Sequence, residues 1–130
     1  MYLSGGHKTV KNILKRGAFT VSMGDAEHAA ACDYVGIESG NSVPDKVARA
    51  GFHVTRVDAR VIDELPLALE CKLVSYGEET RLLTGEIVNV SVDERALDEN
   101  GKLAVEKLHV ITFDYANHGY YVLGEKVASA

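Results

Sequence analysis

The sequence predicts a mainly β domain, an antiparallel barrel or sheet carrying a few short helices. Three observations point there. Helical signals fall in the first half of the chain and alternating, strand-like patterns dominate the second. The regular β-α-β alternation of a parallel doubly wound sheet is missing. Gly85 also interrupts an otherwise apolar strand pattern, and a strand-interior glycine marks a bulge, or a bend where a sheet curls into a barrel.

The elements follow in order. Val10, Ile13 and Leu14 take the i, i+3, i+4 spacing of a short amphipathic helix that Gly17 stops. In GAFTVSM, Phe19, Val21 and Met23 alternate with smaller neighbours, as in a half-buried strand. GDAEHAAACDYVG reads as an alanine-rich helix with Asp25 as N-cap and Gly36 as stop. After the loop signal SGNS, Pro44 suits a first helical position and Gly51 a C-terminal cap, which predicts a helix from Pro44 to Ala50. LPLALECKLVSYG places Leu67, Leu69, Cys71 and Leu73 on one strand face and Glu70 and Lys72 on the other. TRLLTGEIVNVSVDE supplies its partner with Val88, Val90 and Val92, and GEET connects the two. LDENGKL is a turn, AVEKL a short helical segment, HVITF a strand and GYYVLGEKV a last strand.

The totals bound the function. A chain of 130 residues predicts a single domain able to bury a core without staples. With 46% hydrophobic and 25% charged residues it has a soluble, globular composition, and no apolar run nears the roughly 20 residues of a membrane span. There is no secretory leader pattern, and a net charge of −5 without a basic stripe argues against nucleic acid as partner. Cys32 and Cys71 lie far apart and read as buried, reduced thiols of a cytoplasmic protein.

Searches for reactive groups end mostly in exclusions. His7, His28, His53, His109 and His118 show no metal-ligand spacing, no C-x-x-C pair exists and no G-x-S-x-G elbow occurs. No metal is expected and no catalytic residue can be named. Asp63 and Glu64 read as a solvated turn. Three stretches remain. In SGGHKTVKN, a glycine turn runs into a helix start with His7, Lys8 and Thr9 at the junction. Free N–H groups and the helix dipole favour an anion there. The same residues also suit a plain helix start capped by Thr9. SGNSVPDK groups Ser39, Asp45 and Lys46 around the Gly40 loop, as donors to a polar ligand or as an ordinary helix start with Ser42 and Asp45. Tyr120 and Tyr121 face opposite sides of one strand, so one of them is free to stack on a flat ring or pack at an interface.

Together these pieces resemble the flavin reductase-like proteins of the FMN-binding split-barrel superfamily, in particular the flavoredoxin-type branch. The matching landmarks are HKTVKNI, RGAFTV, CDYVGIESG with its downstream DK, LPLALEC, GEIV, LDENGKL and GYYVLGE, in order from His7 to Glu125. The resemblance implies a compact barrel that dimerises and holds FMN in clefts at the dimer interface. It implies that His7, Lys8 and Thr9 meet the flavin phosphate, and that Ser39, Gly40, Asp45 and Lys46 lie near the flavin or the opening above it, with Tyr120 as a further candidate. The implied activity passes electrons from reduced nicotinamide, or from a redox protein, through FMN. The alternatives are an FMN-binding carrier without reductase turnover and a cofactor-free dimeric scaffold. Family members usually carry additional N-terminal strands, so MYLSGG is expected to be the end of one such strand and the chain to match the C-terminal two-thirds of the domain.

Overall fold

The computed structural model describes residues 1–56 and 60–129. Its elements, in chain order, are α1 (Lys8–Arg16), β1 (Ala18–Ser22), α2 (Ala29–Ile37), α3 (Lys46–Arg49), β2 (Val54–Arg56), β3 (Arg60–Ile62), β4 (Leu67–Tyr76), β5 (Leu83–Val92), β6 (Ile111–Asp114) and β7 (Gly119–Val122). Two 3-10 turns, Glu94–Ala96 and Val105–Leu108, lie between β5 and β6.

The centre is an antiparallel sheet in the order β1-β4-β5, flanked by the β2-β3 and β6-β7 hairpins. Phe19 lies opposite Cys71 across the first ladder, and Leu69 opposite Val90 across the second. The β4-β5 ladder slips between Glu70 and Cys71 and again between Leu73 and Ser75. Each slip adds local twist and bends the ribbon. Gly85 pairs with Leu73 beside the second slip, and a side chain there would run into the ring of Phe19.

One core cluster, Ile13, Phe19, Cys71 and Leu83, packs α1 onto the sheet. A second, Leu67, Ala96 and Leu108, packs the 3-10 turns onto its other end. Burial raises the Cys71 thiol pKa, so Cys71 is a neutral core residue. Residues 1–3 run antiparallel to the start of β5: the Leu83 N–H donates to the Met1 carbonyl at 2.8 Å and the Leu3 N–H to the Arg81 carbonyl at 2.9 Å. Farther along β5, Ile87, Val88 and Val90 are exposed, whereas Val92 packs against the Leu67, Ala96 and Leu108 cluster.

Local sequence signals account for most of the turns. Gly17 ends α1 in the left-handed region at φ 70°, its N–H on the Ile13 carbonyl. The LDENGKL turn is built on Asp98, whose carboxylate accepts from the Asn100 and Lys102 N–H groups, each at 2.8 Å. Asp63 and Glu64 do brace a turn: Glu64 accepts from the His53 N–H and ring, and Asp63 from the Thr55 N–H.

Four boundaries differ from the expectation. Thr9 is inside α1, where His7 occupies the N-cap without a side-chain bond. Asp25 sits one turn ahead of α2 and accepts from the His28 N–H at 2.9 Å and ring at 2.7 Å, an Asx-type turn that competes with capping. Gly36 does not stop α2, which runs on to Ile37. The next helix is also shorter than the Pro44 and Gly51 signals suggest, because Pro44 and Asp45 form a turn before it.

Candidate functional site

The SGG segment and the SGNS loop, distant in sequence, meet at the N-terminus of α1. The Asn41 side-chain amide donates to the Gly6 carbonyl at 3.3 Å, tying the loop to the segment ahead of the helix. The loop turns on Ser39, whose carbonyl accepts from the Ser42 and Val43 N–H groups and whose hydroxyl accepts from the Asn41 N–H. Between them lies a small pocket of about 120 Å³, lined by His7, Lys8, Thr9, Ser39, Gly40 and Lys46 with Glu38 and the end of α2.

The Lys8 and Lys46 stems both pass Gly40. A methyl group there would touch the Lys8 stem at 3.5 Å and the Lys46 stem at 3.8 Å, so both chains run against the bare glycine. The Lys46 ammonium donates to the Val35 carbonyl at 2.6 Å and the Glu38 carbonyl at 2.7 Å, closing the C-terminal end of α2. One of its three N–H bonds remains for another acceptor. α1 carries Lys8, Lys11, Lys15 and Arg16, and neither an acid in its first turn nor a capping side chain. Of these only Lys8 lines the pocket, where with Lys46 and the uncapped N-terminus of α1 it faces Glu38, in a chain of net charge −5.

Two of the expected residues lie elsewhere. Asp45 accepts from the Arg49 Nε at 3.0 Å, and this hydrogen bond lowers its pKa; it does not line the pocket. Tyr120 stands on β7, where its hydroxyl donates to the Asp33 carboxylate at 2.8 Å. That bond, aided by desolvation, raises its pKa and keeps the phenol neutral.

Sequence reasoning missed a neighbouring cleft of about 430 Å³ between α1, β1 and Arg60. Thr9, Asn12 and Arg16 line one wall, and Thr20 and Ser22 the other. The signal was present, because Thr9, Asn12 and Arg16 repeat at i, i+3, i+7 and form a polar stripe along one helix face. Thr9 borders both spaces.

Among the described residues no group of three or more His, Cys, Asp or Glu could hold a metal ion. No described helix is long and apolar enough to cross a membrane.

The flavin reductase like domain matches residues 2–124. A flavoredoxin of Desulfovibrio vulgaris (Miyazaki F) is similar over 99% of this chain and 71% of its own, at 36% identity and a TM-score of 0.91. A flavoredoxin from Methanosarcina acetivorans is similar over 98% of this chain and 69% of its own, at 25% identity and a TM-score of 0.86. An FMN-binding domain of a flavin reductases-like enzyme from Shewanella baltica OS155 has a TM-score of 0.85 over 100% of this chain and 72% of its own; at 18% identity it shows the fold alone. No curated protein sequence gives a significant match. The mainly β architecture with short helices is that of the flavin reductase-like split barrels, and the chain belongs to the flavin reductase like domain family.

Proposed function

We propose that this chain, acting as one flavin reductase-like domain over residues 1–130, binds FMN and transfers electrons from reduced nicotinamide or a redox protein. The observation that carries the reading is the cationic pocket, where His7, Lys8, Thr9, Ser39, Gly40 and Lys46 come together in a member of this family. The donor set fits a phosphate monoester: two ammonium groups, hydroxyls and the open N-terminus of a nine-residue helix, with Glu38 as the one carboxylate on the lining.

Bound FMN would supply hydride and single-electron chemistry that side chains lack. The chain's residues bind and orient. Lys8 and Lys46 balance phosphate charge, and Thr9, which borders both the pocket and the cleft, adds a hydroxyl. Asn12, Arg16, Thr20 and Ser22 offer hydrogen bonds along the cleft to a polyhydroxylated chain. Asp45 accepts from Arg49 one turn on, an exposed bond along α3, which carries Lys46. No protein nucleophile or acid-base pair is needed for such transfer. The exposed Ile87, Val88 and Val90 on β5 support a homodimer that covers them, and the free Cys32 and Cys71 support a reducing, cytoplasmic setting.

The test compares FMN with riboflavin, which lacks the phosphate. Lys8→Ala removes a charge-assisted contact worth about 1.5–3 kcal/mol and should weaken FMN binding roughly 10- to 100-fold. Thr9→Ala should weaken it a few-fold, and riboflavin affinity should hold for both. Equal losses for the two ligands would show that these residues only support the helix. A protein that takes up no FMN rejects the reading, and a bound flavin that reduced nicotinamide cannot bleach under anaerobic conditions identifies a carrier fed by a redox protein.

A further inference from the structure

At the end of the sheet that carries the second core cluster, the β1-α2 connection, the start of β4 and the two 3-10 turns enclose a cavity of about 310 Å³. It shares no lining residue with the α1 pocket or the cleft. Main-chain bonds fasten its walls to one another. The Ala26 N–H donates to the His109 carbonyl at 3.0 Å, the Asp93 N–H to the Pro66 carbonyl at 2.9 Å and the Ala104 N–H to the Ala96 carbonyl at 2.9 Å. His109 itself holds the left-handed region at φ 47°, which residues with a side chain seldom adopt. Ala96 and Leu108 are buried in the core cluster, so with Pro66 they give the cavity an apolar side backed by the core. Its size is at the small end of ligand pockets, about 300–1,000 Å³.

The charged lining residues divide by element. Arg95 and Lys107 come from the 3-10 turns, with His109 just after the second, and Asp25 and Glu27 come from the β1-α2 connection. Asp93 breaks the division, but its carboxylate is spent on Arg95, accepting from Nε at 3.0 Å and Nη2 at 2.6 Å. The other groups keep bonding capacity. Arg95 retains its Nη1 N–H groups, and Lys107, which donates once to the Leu97 carbonyl at 2.7 Å, retains two N–H groups. Asp25 takes both His28 bonds on Oδ1, which leaves Oδ2, and Glu27 is exposed. The Arg95 pKa is raised chiefly by the hydrogen bond to Asp93, and Glu27 and Asp25 add to the rise through space, so the acids are felt across the cavity.

We propose that this cavity binds a small zwitterion with an apolar body, the chemistry of a free α-amino acid. Its carboxylate meets Lys107 and Arg95, its ammonium meets Asp25 and Glu27, and its side chain lies on Pro66, Ala96 and Leu108. A ligand with one charge fits less well. An anion would also face Asp25 and Glu27, and a cation would face Arg95 and Lys107. A ligand with no charge would take water from four charged groups and return nothing. The main-chain bonds hold both charged sides in place before the ligand arrives, which lowers the ordering cost of binding. The site stands apart from the flavin reading, since its lining and that of the α1 pocket have no residue in common.

L-leucine, 4-methylpentanoate and leucinamide test this, because the second lacks the ammonium and the third the carboxylate. Each is titrated by heteronuclear NMR into the full chain. The expected result is leucine binding that saturates at millimolar concentration and shifts the amides of Glu27, Arg95 and Lys107, with both analogues at least about tenfold weaker. Glu27→Gln should weaken leucine about tenfold and leave 4-methylpentanoate unchanged, whereas Lys107→Met should weaken leucine as much and leave leucinamide unchanged. Both variants should take up FMN as the parent does, since neither residue borders the α1 pocket or the cleft. Should Lys107→Met unseat its turn, Glu27→Gln, an exposed change that removes one charge, carries the test alone. Leucine that fails to saturate, analogues that bind as tightly as leucine, shifts centred on α1, or equal losses of leucine and 4-methylpentanoate in Glu27→Gln would overturn the inference. Leucine bound in the cavity of a protein that takes no FMN would uphold this site and reject the flavin reading.

Discussion

A methyl group added at Gly85 would sit 2.5 Å from Phe19 Cζ, 2.7 Å from Cε1 and 3.3 Å from the Lys72 carbonyl oxygen. Such separations are far inside carbon contact distance, so something must move. The phenyl ring cannot swing away cheaply, because Phe19 is buried against Ile13, Cys71 and Leu83. Nor can β5 withdraw, since its ladder with β4 continues on both sides of Gly85. Overpacking of this kind costs about 1–3 kcal/mol. For a domain of this size each kcal/mol lowers the melting temperature by about 3–5 °C. Gly85→Ala should therefore melt about 3–15 °C below the parent protein in a calorimetric scan of the FMN-free form. Phe19→Leu supplies the control: it leaves room for the methyl group, at about 1–2 kcal/mol of its own. The double variant should be more stable than the sum of the single losses by about 1 kcal/mol. A Gly85→Ala protein that melts with the parent, or a strictly additive pair, would refute the claim that this ring holds the position open.

Two further outcomes separate structural from ligand-binding roles. Lys46→Met removes both bonds to the α2 carbonyls and should cost about 1–2 kcal/mol in the FMN-free protein, whereas Lys8→Ala should change stability by no more than about 0.5 kcal/mol. Equal melting of Lys46→Met and parent would mean that the ammonium does not close the helix. Acid stability should follow the carboxylates: Asp93 is held at about 2 by its side-chain bond to Arg95 and by the Arg95 N–H, and the pKa values of Asp45 and Asp114 are lowered too. An unfolded aspartate titrates near about 3.9, so the unfolded chain binds more protons in this window and stability falls as pH drops from about 4 to about 2. Urea midpoints against pH should show that decline, with Asp93→Asn flattening it; an unchanged slope would exclude Asp93 as a source.

Much of the fold was legible because its signals are local. Strand alternation in LPLALEC and GEIV, the left-handed glycine after α1 and the Asp98 turn each depend on neighbours in the chain, and they stand where those patterns place them. The errors came where two local partners compete. Asp25 binds His28 ahead of α2 instead of capping it at the predicted place, and Asp45 spends its carboxylate on Arg49. The β2-β3 hairpin has only three residues in each strand, too few for a readable period. Val88 and Val90 follow the alternation and still face solvent, as does Ile87, because β5 is the edge strand of its sheet and none of the described residues covers it there.

The division between sequence and structure is sharpest at the site. By itself the sequence determined the family and the residue types of the proposed anion pocket, since a glycine turn, a helix start and a cation are neighbours along the chain. Only the tertiary structure decided that the Ser39–Gly40 loop folds back onto Lys8, that Lys46 arrives beside it already bonded to α2, and that Tyr120 walls a separate cavity. The reason is physical. The meeting of the Lys8 and Lys46 stems at Gly40 depends on packing between α1, α2 and α3, an interaction across more than thirty residues that leaves no period or spacing in the sequence.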